Sequence, residues 1–325
     1  MTNGNGMLTG IHECITQDLQ DVHTMIGDAT QSSIDLIQTI GQYALNQPGR
    51  KLIRPTMVIL FARALDYHST KVTELAAIIE LIHSATLLHD DVIDHAKTRR
   101  NKLTTHSVYG GTQSILMGDF IYASAFKLIA NLNSTAITHI LAQATQEIVE
   151  GEILQLGLQR QIDTSIEEYQ QIIRAKTSLL FSTSAQCIAK LCPNNPHGKH
   201  LYDYAHHFGM LYQITDDILD IDTQNKQLNK AHGTDLSEGK MTLPTILAYQ
   251  HASEADQDTI KTIIGGKIPW QDILPIMERT NALKHCQPFL KLHTTKGLAA
   301  LEHLPDSIYK EHLKTLLEHI PLRKK

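Results

Sequence analysis

Two clusters of three aspartates carry the chemical signal in this 325-residue chain. Asp90, Asp91 and Asp94 stand in the string LHDDVID, and Asp216, Asp217 and Asp220 in the string TDDILD, 126 residues later. On a helix, residues four apart share a face, while neighbours diverge by about 100°. Asp90 therefore stacks with Asp94 and Asp216 with Asp220, and Asp91 and Asp217 flank them. Three acids in five positions repel one another unless cations neutralise them. A solvated acidic face is the simplest reading, but it fits poorly. Ala85, Leu87 and Leu88 precede the first cluster, and Ile218 and Leu219 lie within the second. Bare carboxylates are costly to bury unless paired or metal-bound. Hard oxygens on one helix face suit Mg²⁺, which keeps waters and shares ligands with substrate phosphates. The pattern predicts two metal-binding faces, opposed across a cavity, that hold Mg²⁺ (or Mn²⁺) around one diphosphate.

Basic residues lie close to these acids. Arg50, Lys51 and Arg54 precede Pro55, and Lys97, Arg99, Arg100 and Lys102 follow the first triplet. Arginine suits bidentate phosphate recognition, and lysine supplies a point charge. Neither G-x-x-x-x-G-K-[ST] nor G-x-G-x-x-G occurs, so a nucleotide fold is not supported. The formal charge of −5 argues against a general nucleic-acid binder.

The elements that must position these groups read as helices. No proline lies between Pro55 and Pro193, and only five glycines fall there. Long segments poor in both residues and rich in Ala, Leu, Ile and Gln favour helix over strand. Leu75, Ile78, Ile79 and Ile82 recur at helical spacing. The segment around Pro193 and Pro196 reads as a connector, and no linker is long enough to separate a pair of domains. The expectation is one all-α domain over residues 1–325, with roughly ten or more helices. Residues 1–10, with two Asn-Gly steps, read as a frayed leader. The four cysteines (Cys14, Cys187, Cys192, Cys286) are scattered and read as reduced thiols of a cytoplasmic protein. The longest strongly apolar run, residues 57–62, falls far short of the ~18 residues of a membrane span.

In this order the motifs resemble the all-trans polyprenyl diphosphate synthases. Residues 87–100, LLHDDVIDHAKTRR, resemble that family's first aspartate-rich motif with its trailing arginine pair. Residues 213–220, QITDDILD, resemble the second, and residues 49–55, GRKLIRP, the upstream basic element. Residues 118–120 (GDF), 150–152 (EGE), Lys176-Thr177, Lys230 and residues 235–240 (DLSEGK) also follow the family's order. The resemblance covers nearly the whole chain and is nearest to bacterial octaprenyl diphosphate synthases. Arg50 and Leu52 depart from the basic element, and Asn101 stands where glycine is usual after the arginine pair.

The resemblance implies a single large helical bundle around a central cavity, of the isoprenoid synthase type, acting as a homodimer. It implies condensation of isopentenyl diphosphate with an allylic diphosphate, farnesyl diphosphate by preference, to an octaprenyl or similar product for a quinone side chain. Mg²⁺ would be held by Asp90, Asp94 and Asp216, with Asp91, Asp217 and Asp220 in support. Arg99, Lys230 and Lys240 would contact the allylic diphosphate. Lys51, Arg54, His83 and Arg100 would form a metal-free isopentenyl site. Lys176, Thr177 and Gln213 would face the leaving group or the cation. Shorter geranylgeranyl or farnesyl products and a non-catalytic subunit are the alternatives. Intact triplets argue against the subunit. The basic residues, with no use in a cyclase, argue against a class I terpene cyclase. Product length is expected to be set on the helix that leads to Asp90. On an ideal wheel Thr86, Ile82 and Ile79 lie near the Asp90 stripe. The resemblance adds Ala85, although the wheel puts it to one side. Small Ala85 and Thr86 leave a passage open, which points to a long product.

Overall fold

The computed structural model describes residues 4–46, 51–192, 195–222 and 233–321. The described chain is helical almost throughout. It begins with α1 (Gly4–Cys14), α2 (Thr16–Ala29), α3 (Asp35–Leu45), α4 (Ile53–Ala64) and α5 (Thr70–Ile93). A two-stranded ribbon, β1 (Thr98–Arg99) and β2 (Lys102–Leu103), precedes α6 (Thr105–Tyr109), α7 (Gly111–Asn131) and α8 (Thr135–Leu158). After α9 (Ile166–Ile173) comes a π-helical turn (Arg174–Ser178), then α10 (Leu179–Leu191) and α11 (Gly198–Ile221). The remainder is α12 (Thr234–Ser237), α13 (Leu243–His251), α14 (Glu254–Ile264), a 3₁₀ turn (Trp270–Ile273), α15 (Leu274–Arg279), α16 (Ala282–His285), α17 (Gln287–Glu302) and α18 (Ile308–His319).

Local chemistry explains the boundaries. Ser69 caps α5 by accepting the Lys71 N–H, and Ser165 with Glu168 forms a reciprocal capping box on α9. Prolines open α13, α15 and α17, where a missing N–H costs nothing. The frayed leader expected over residues 1–10 is helical from Gly4 onward. Ile11 and Ile15, four apart and almost fully buried, anchor that end of the chain. The ribbon was not foreseen. Its turn residues Arg100 and Asn101 have φ of 52° and 62°, which a two-residue hairpin loop demands. Asparagine tolerates that left-handed conformation, so Asn101 serves where glycine is usual. Leu52, another departure, also has a positive φ of 45° and precedes α4.

The chain's contacts group it into two compact units. Unit 1 comprises Met1–Thr145, Thr183–Leu201 and Leu304–Leu313; unit 2 comprises Gln146–Ser182, Tyr202–His303 and Lys314–Lys325. In unit 1, α5 packs along α7 and against α4 and α2. Met57 to Ala62 on α4 and Leu75 to Ile79 on α5 expose no surface. By length and mean hydropathy α5 is the one described helix able to cross a membrane, yet 67% of that stretch is buried within the protein. It is a core helix. In unit 2, Phe181 meets Phe208 edge to face at 5.1 Å between ring centres, and Tyr204 is fully buried behind them.

Unit 2 also holds a histidine cluster, with His293 buried and His206 and His207 half-buried. His207 Nδ1 and His293 Nδ1 lie 3.0 Å apart, with His206 stacked edge-on against His207. Burial, then the neighbouring histidines and Lys296, push His207 down to about 3 and His293 to about 4. Both are neutral in the fold and ordinary, near 6.5, once unfolded. Above that value they add no pH dependence. As pH falls below it, the unfolded chain takes up protons that the folded one refuses, and stability declines. The melting temperature is therefore expected to drop by about 5 °C or more between pH 7 and pH 5. The drop should shrink in His293→Gln; calorimetry that shows no fall, or the same fall in the variant, contradicts this assignment.

Candidate active site

The two triplets end two helices of equal length. α5 and α11 each have 24 residues, and the acids occupy their last turns. Backbone carbonyls give that end of a helix negative character, so acids there are unfavourable and cations welcome. Neither helix carries a basic residue in its last turn. Asp91, Asp217 and Asp220 are buried, and Asp90, Asp94 and Asp216 half-buried. A solvated acidic face is thereby excluded.

In unit 1, Asp94 caps α5, with its N–H on the Asp90 carbonyl. Asp91 turns aside and receives Arg99, whose Nε and Nη2 reach Asp91 Oδ1 at 2.8 and 2.7 Å. Burial raises the Asp91 carboxyl against the opposing pull of Arg99. Burial, then the charge of Asp90, pushes the Tyr122 hydroxyl up to about 12. Arg54 Nη1 lies 2.9 Å from His83 Nε2. A guanidinium only donates, so His83 accepts there and is a neutral imidazole with its proton on Nδ1. Glu80, His83, Asp91, Arg99 and Arg100 line one small cavity of about 60 Å³. The cavity thus brings His83 and Arg100, expected in the isopentenyl site, together with Arg99, expected on the allylic diphosphate, and Asp91, expected in support of the metal. Lys51 lies exposed at the start of α4. Buried Glu80 was missed, because an acid three residues before a histidine has no distinctive spacing.

In unit 2, the π-turn aims three successive side chains at two helices. Lys176 Nζ contacts Glu152 Oε1 at 2.8 Å and Gln155 Oε1 at 3.0 Å on α8. Thr177 Oγ1 donates to Gln213 Oε1 at 2.6 Å on α11. Ser178 Oγ donates to the His206 carbonyl at 2.8 Å, two turns earlier on α11. Such single-turn π segments widen a helix locally and concentrate at functional sites. Two glycines admit the turn. A Cβ on Gly151 would sit 2.5 Å from Ala175 Cβ, and one on Gly209 would sit 2.4 Å from Ser178 Cα.

Gln213 Nε2 donates onward to Asp217 Oδ1 at 2.7 Å, and Tyr169 OH donates to Asp217 Oδ2 at 2.6 Å. Burial, then the charge of Asp235, raises the Asp217 carboxyl, while the donors Tyr169 and Gln213 favour its ionised form. Asp220 Oδ2 accepts the Asp235 N–H at 3.3 Å. Lys240, nine-tenths buried, pairs with Glu238 at 2.6 Å. Tyr169, Lys176, Gln213, Asp217, Asp235 and Lys240 line a second cavity of about 80 Å³. Four of these six were expected from sequence. Tyr169 and Asp235 were not, since a lone tyrosine on an amphipathic helix reads as core. Lys230 lies outside the described residues.

Among the described residues, no three acidic, histidine or cysteine side chains close on a single point. The fit to Mg²⁺ rests on the donors themselves: hard oxygens only, in pairs on a helix face, at helix ends that favour cations. The length-setting candidates lie on α5. Ala85 and Ile82 are fully buried, and half-buried Thr86 donates to the His83 carbonyl.

Comparisons with known proteins place the chain in a family. The family described as polyprenyl synthetase matches residues 34–274. The octaprenyl diphosphate synthase of Escherichia coli (strain K12) is 36% identical over 310 residues, 94% of this chain and 96% of that protein. The all-trans-nonaprenyl-diphosphate synthase (geranyl-diphosphate specific) of Rhodobacter capsulatus is 36% identical over 305 residues, 93% of this chain and 94% of that one. The crystal structure of a polyprenyl synthase from Caulobacter crescentus CB15, complexed with calcium and isoprenyl diphosphate, has a TM-score of 0.92 at 31% identity. The match covers 98% of each chain.

The close approach at Gly209 yields a test. Gly209→Ala forces backbone to move at the π-turn and is expected to cost about 2 kcal/mol or more. Denaturant unfolding measures this, and a variant as stable as the parent would show that the turn does not need the contact.

Proposed function

The chain belongs to the polyprenyl synthetase family, whose reaction is the trans-prenyltransferase condensation, and on that premise we propose that it makes a long-chain product, octaprenyl or close to it. The substrates are isopentenyl diphosphate and farnesyl diphosphate, and the product serves as a quinone side chain. The observation that carries this reading is the pair of half-buried to buried acid triplets at two helix ends, each beside arginine or lysine.

Mg²⁺, or Mn²⁺ in its place, supplies Lewis-acid neutralisation of the departing diphosphate. Asp90 with Asp94 on α5, and Asp216 with Asp220 on α11, are the carboxylates that would hold such ions. Arg99 in unit 1, and Lys176 and Lys240 in unit 2, set positive charge beside the acids of their own unit, where a diphosphate oxygen would be received. Lys51, Arg54 and Arg100 hold the second diphosphate, and His83 keeps the Arg54 guanidinium aimed. The allylic C–O bond ionises, and the isopentenyl double bond attacks the allylic cation. The released diphosphate takes the proton that is lost. The Thr177 hydroxyl and the Gln213 amide are fixed dipoles that stabilise charge as it develops.

Relatives of equal identity are named for octaprenyl and nonaprenyl products, so length rests on this chain's own α5. Small Ala85 and Thr86 support a long product, since each added unit must be kept from water. Val149, Ile153 and Leu156 are exposed at spacings of four and three, one apolar face of α8, and support a homodimer.

Pure protein given both diphosphates and Mg²⁺ is expected to release a ladder that ends near eight units, and excess chelator should abolish it. Asp90→Ala and Asp216→Ala should each cut turnover by about a thousandfold with helical content unchanged. Full activity in chelator contradicts the metal reading. For length, Ala85→Phe or Thr86→Phe should shift the main product toward geranylgeranyl while turnover continues. An unchanged ladder in both active variants means that the length wall lies elsewhere.

A further inference from the structure

A hydrogen-bond chain runs from Thr177 through Gln213 and Asp217 to Tyr169, and its last three members line the unit 2 cavity. The Thr177 hydroxyl donates to Gln213 Oε1, which assigns the oxygen end of that amide. The –NH₂ end therefore faces Asp217 and donates to Oδ1. The remaining link is Tyr169, whose hydroxyl donates to Asp217 Oδ2. Tyr169 is 3% exposed and sits on α9, seven residues before Lys176. Its ring fills core. Its hydroxyl ends the chain.

We propose that Tyr169 is a positioning residue of the condensation reaction. By engaging Asp217 Oδ2 it fixes the plane of that carboxylate. The plane sets where Oδ1 meets Gln213, and Gln213 in turn sets the Thr177 hydroxyl next to Lys176. Removing the phenol oxygen leaves a buried acceptor without its donor, a loss that the carboxylate escapes only by rotating away from Gln213. The chain then loses its register. Tyr169 itself touches no substrate in this scheme. The proposal rests on reading this cavity as the diphosphate end of a prenyltransferase site.

The alternative is a core tyrosine that merely needs a partner for its hydroxyl. Tyr169→Phe, Thr177→Val and the double variant separate the two. Positioning predicts that each single change lowers kcat by about tenfold or more, with the KM for isopentenyl diphosphate within about twofold of the parent. The double variant should lie within about threefold of the worse single, because one chain is broken only once. A second readout does not require turnover. Calorimetric titration with inorganic diphosphate in excess Mg²⁺ should show about fivefold or weaker binding in Tyr169→Phe. Losses that multiply in the double variant, or parent-like kcat and diphosphate binding in Tyr169→Phe, overturn the proposal. If Tyr169→Phe loses its cooperative unfolding transition, Thr177→Val breaks the same chain at its other end and carries the same expectation. If the parent binds diphosphate but condenses nothing, the prenyltransferase reading falls and the binding arm still decides the role of Tyr169. If the parent binds no diphosphate, both fall.

Discussion

Six carboxylates stand at the wrong ends of two helices. The last turns of α5 and α11 already carry the negative ends of their backbone dipoles, and each receives three aspartates and no base. Left alone, these turns would be destabilised by like charge and by the cost of burying it. The fold answers some of this from within. In each triplet the middle acid takes a partner from its own unit: Asp91 takes Arg99, and Asp217 takes Tyr169 and Gln213. The flanking pairs at four-residue spacing are the groups suited to a cation. Electrostatic cost at these helix ends is what makes the family's metal-dependent chemistry favourable here.

The π-turn does for unit 2 what no regular helix would do. Successive residues of an α-helix point about 100° apart, so Lys176, Thr177 and Ser178 would diverge. In the widened turn they engage α8 and two separate turns of α11. Gly151 and Gly209 are the conditions for that approach, and each accepts about 1 kcal/mol of lost helix propensity. One short irregularity thus places a lysine on the cavity wall and a hydroxyl against the Gln213 amide that lines the same cavity.

Much of this was legible in the sequence, for reasons that differ from residue to residue. The proline-free stretch from Pro55 to Pro193 announced helices because proline excludes itself from helix interiors. The acid triplets were legible because four-residue spacing of acids among apolar neighbours is hard to reconcile with a solvated face. The pairing of Asp91 with Arg99 was not, since it needs the β1–β2 ribbon to turn the chain back. That ribbon is only two residues per strand, with Arg-Asn at its bend. The π-turn leaves no periodic trace over five residues. Tyr169 and Glu80 were invisible for a related reason: burial decides their meaning, and a single polar residue on an amphipathic helix does not reveal whether its polar atom faces water or a carboxylate. Asn101 and Leu52, which looked like departures from a pattern, prove to occupy positions of positive φ.

The central claim is that the acidic end of α5 in unit 1, and that of α11 in unit 2, each need a cation carrying a diphosphate. Hydrogen exchange followed by mass spectrometry tests this directly, comparing the protein alone with the protein given Mg²⁺, inorganic diphosphate, or both. The account predicts that both together slow exchange in peptides over residues 88–96 and 213–221, while either alone does little. Unchanged exchange in both regions under all conditions would contradict it.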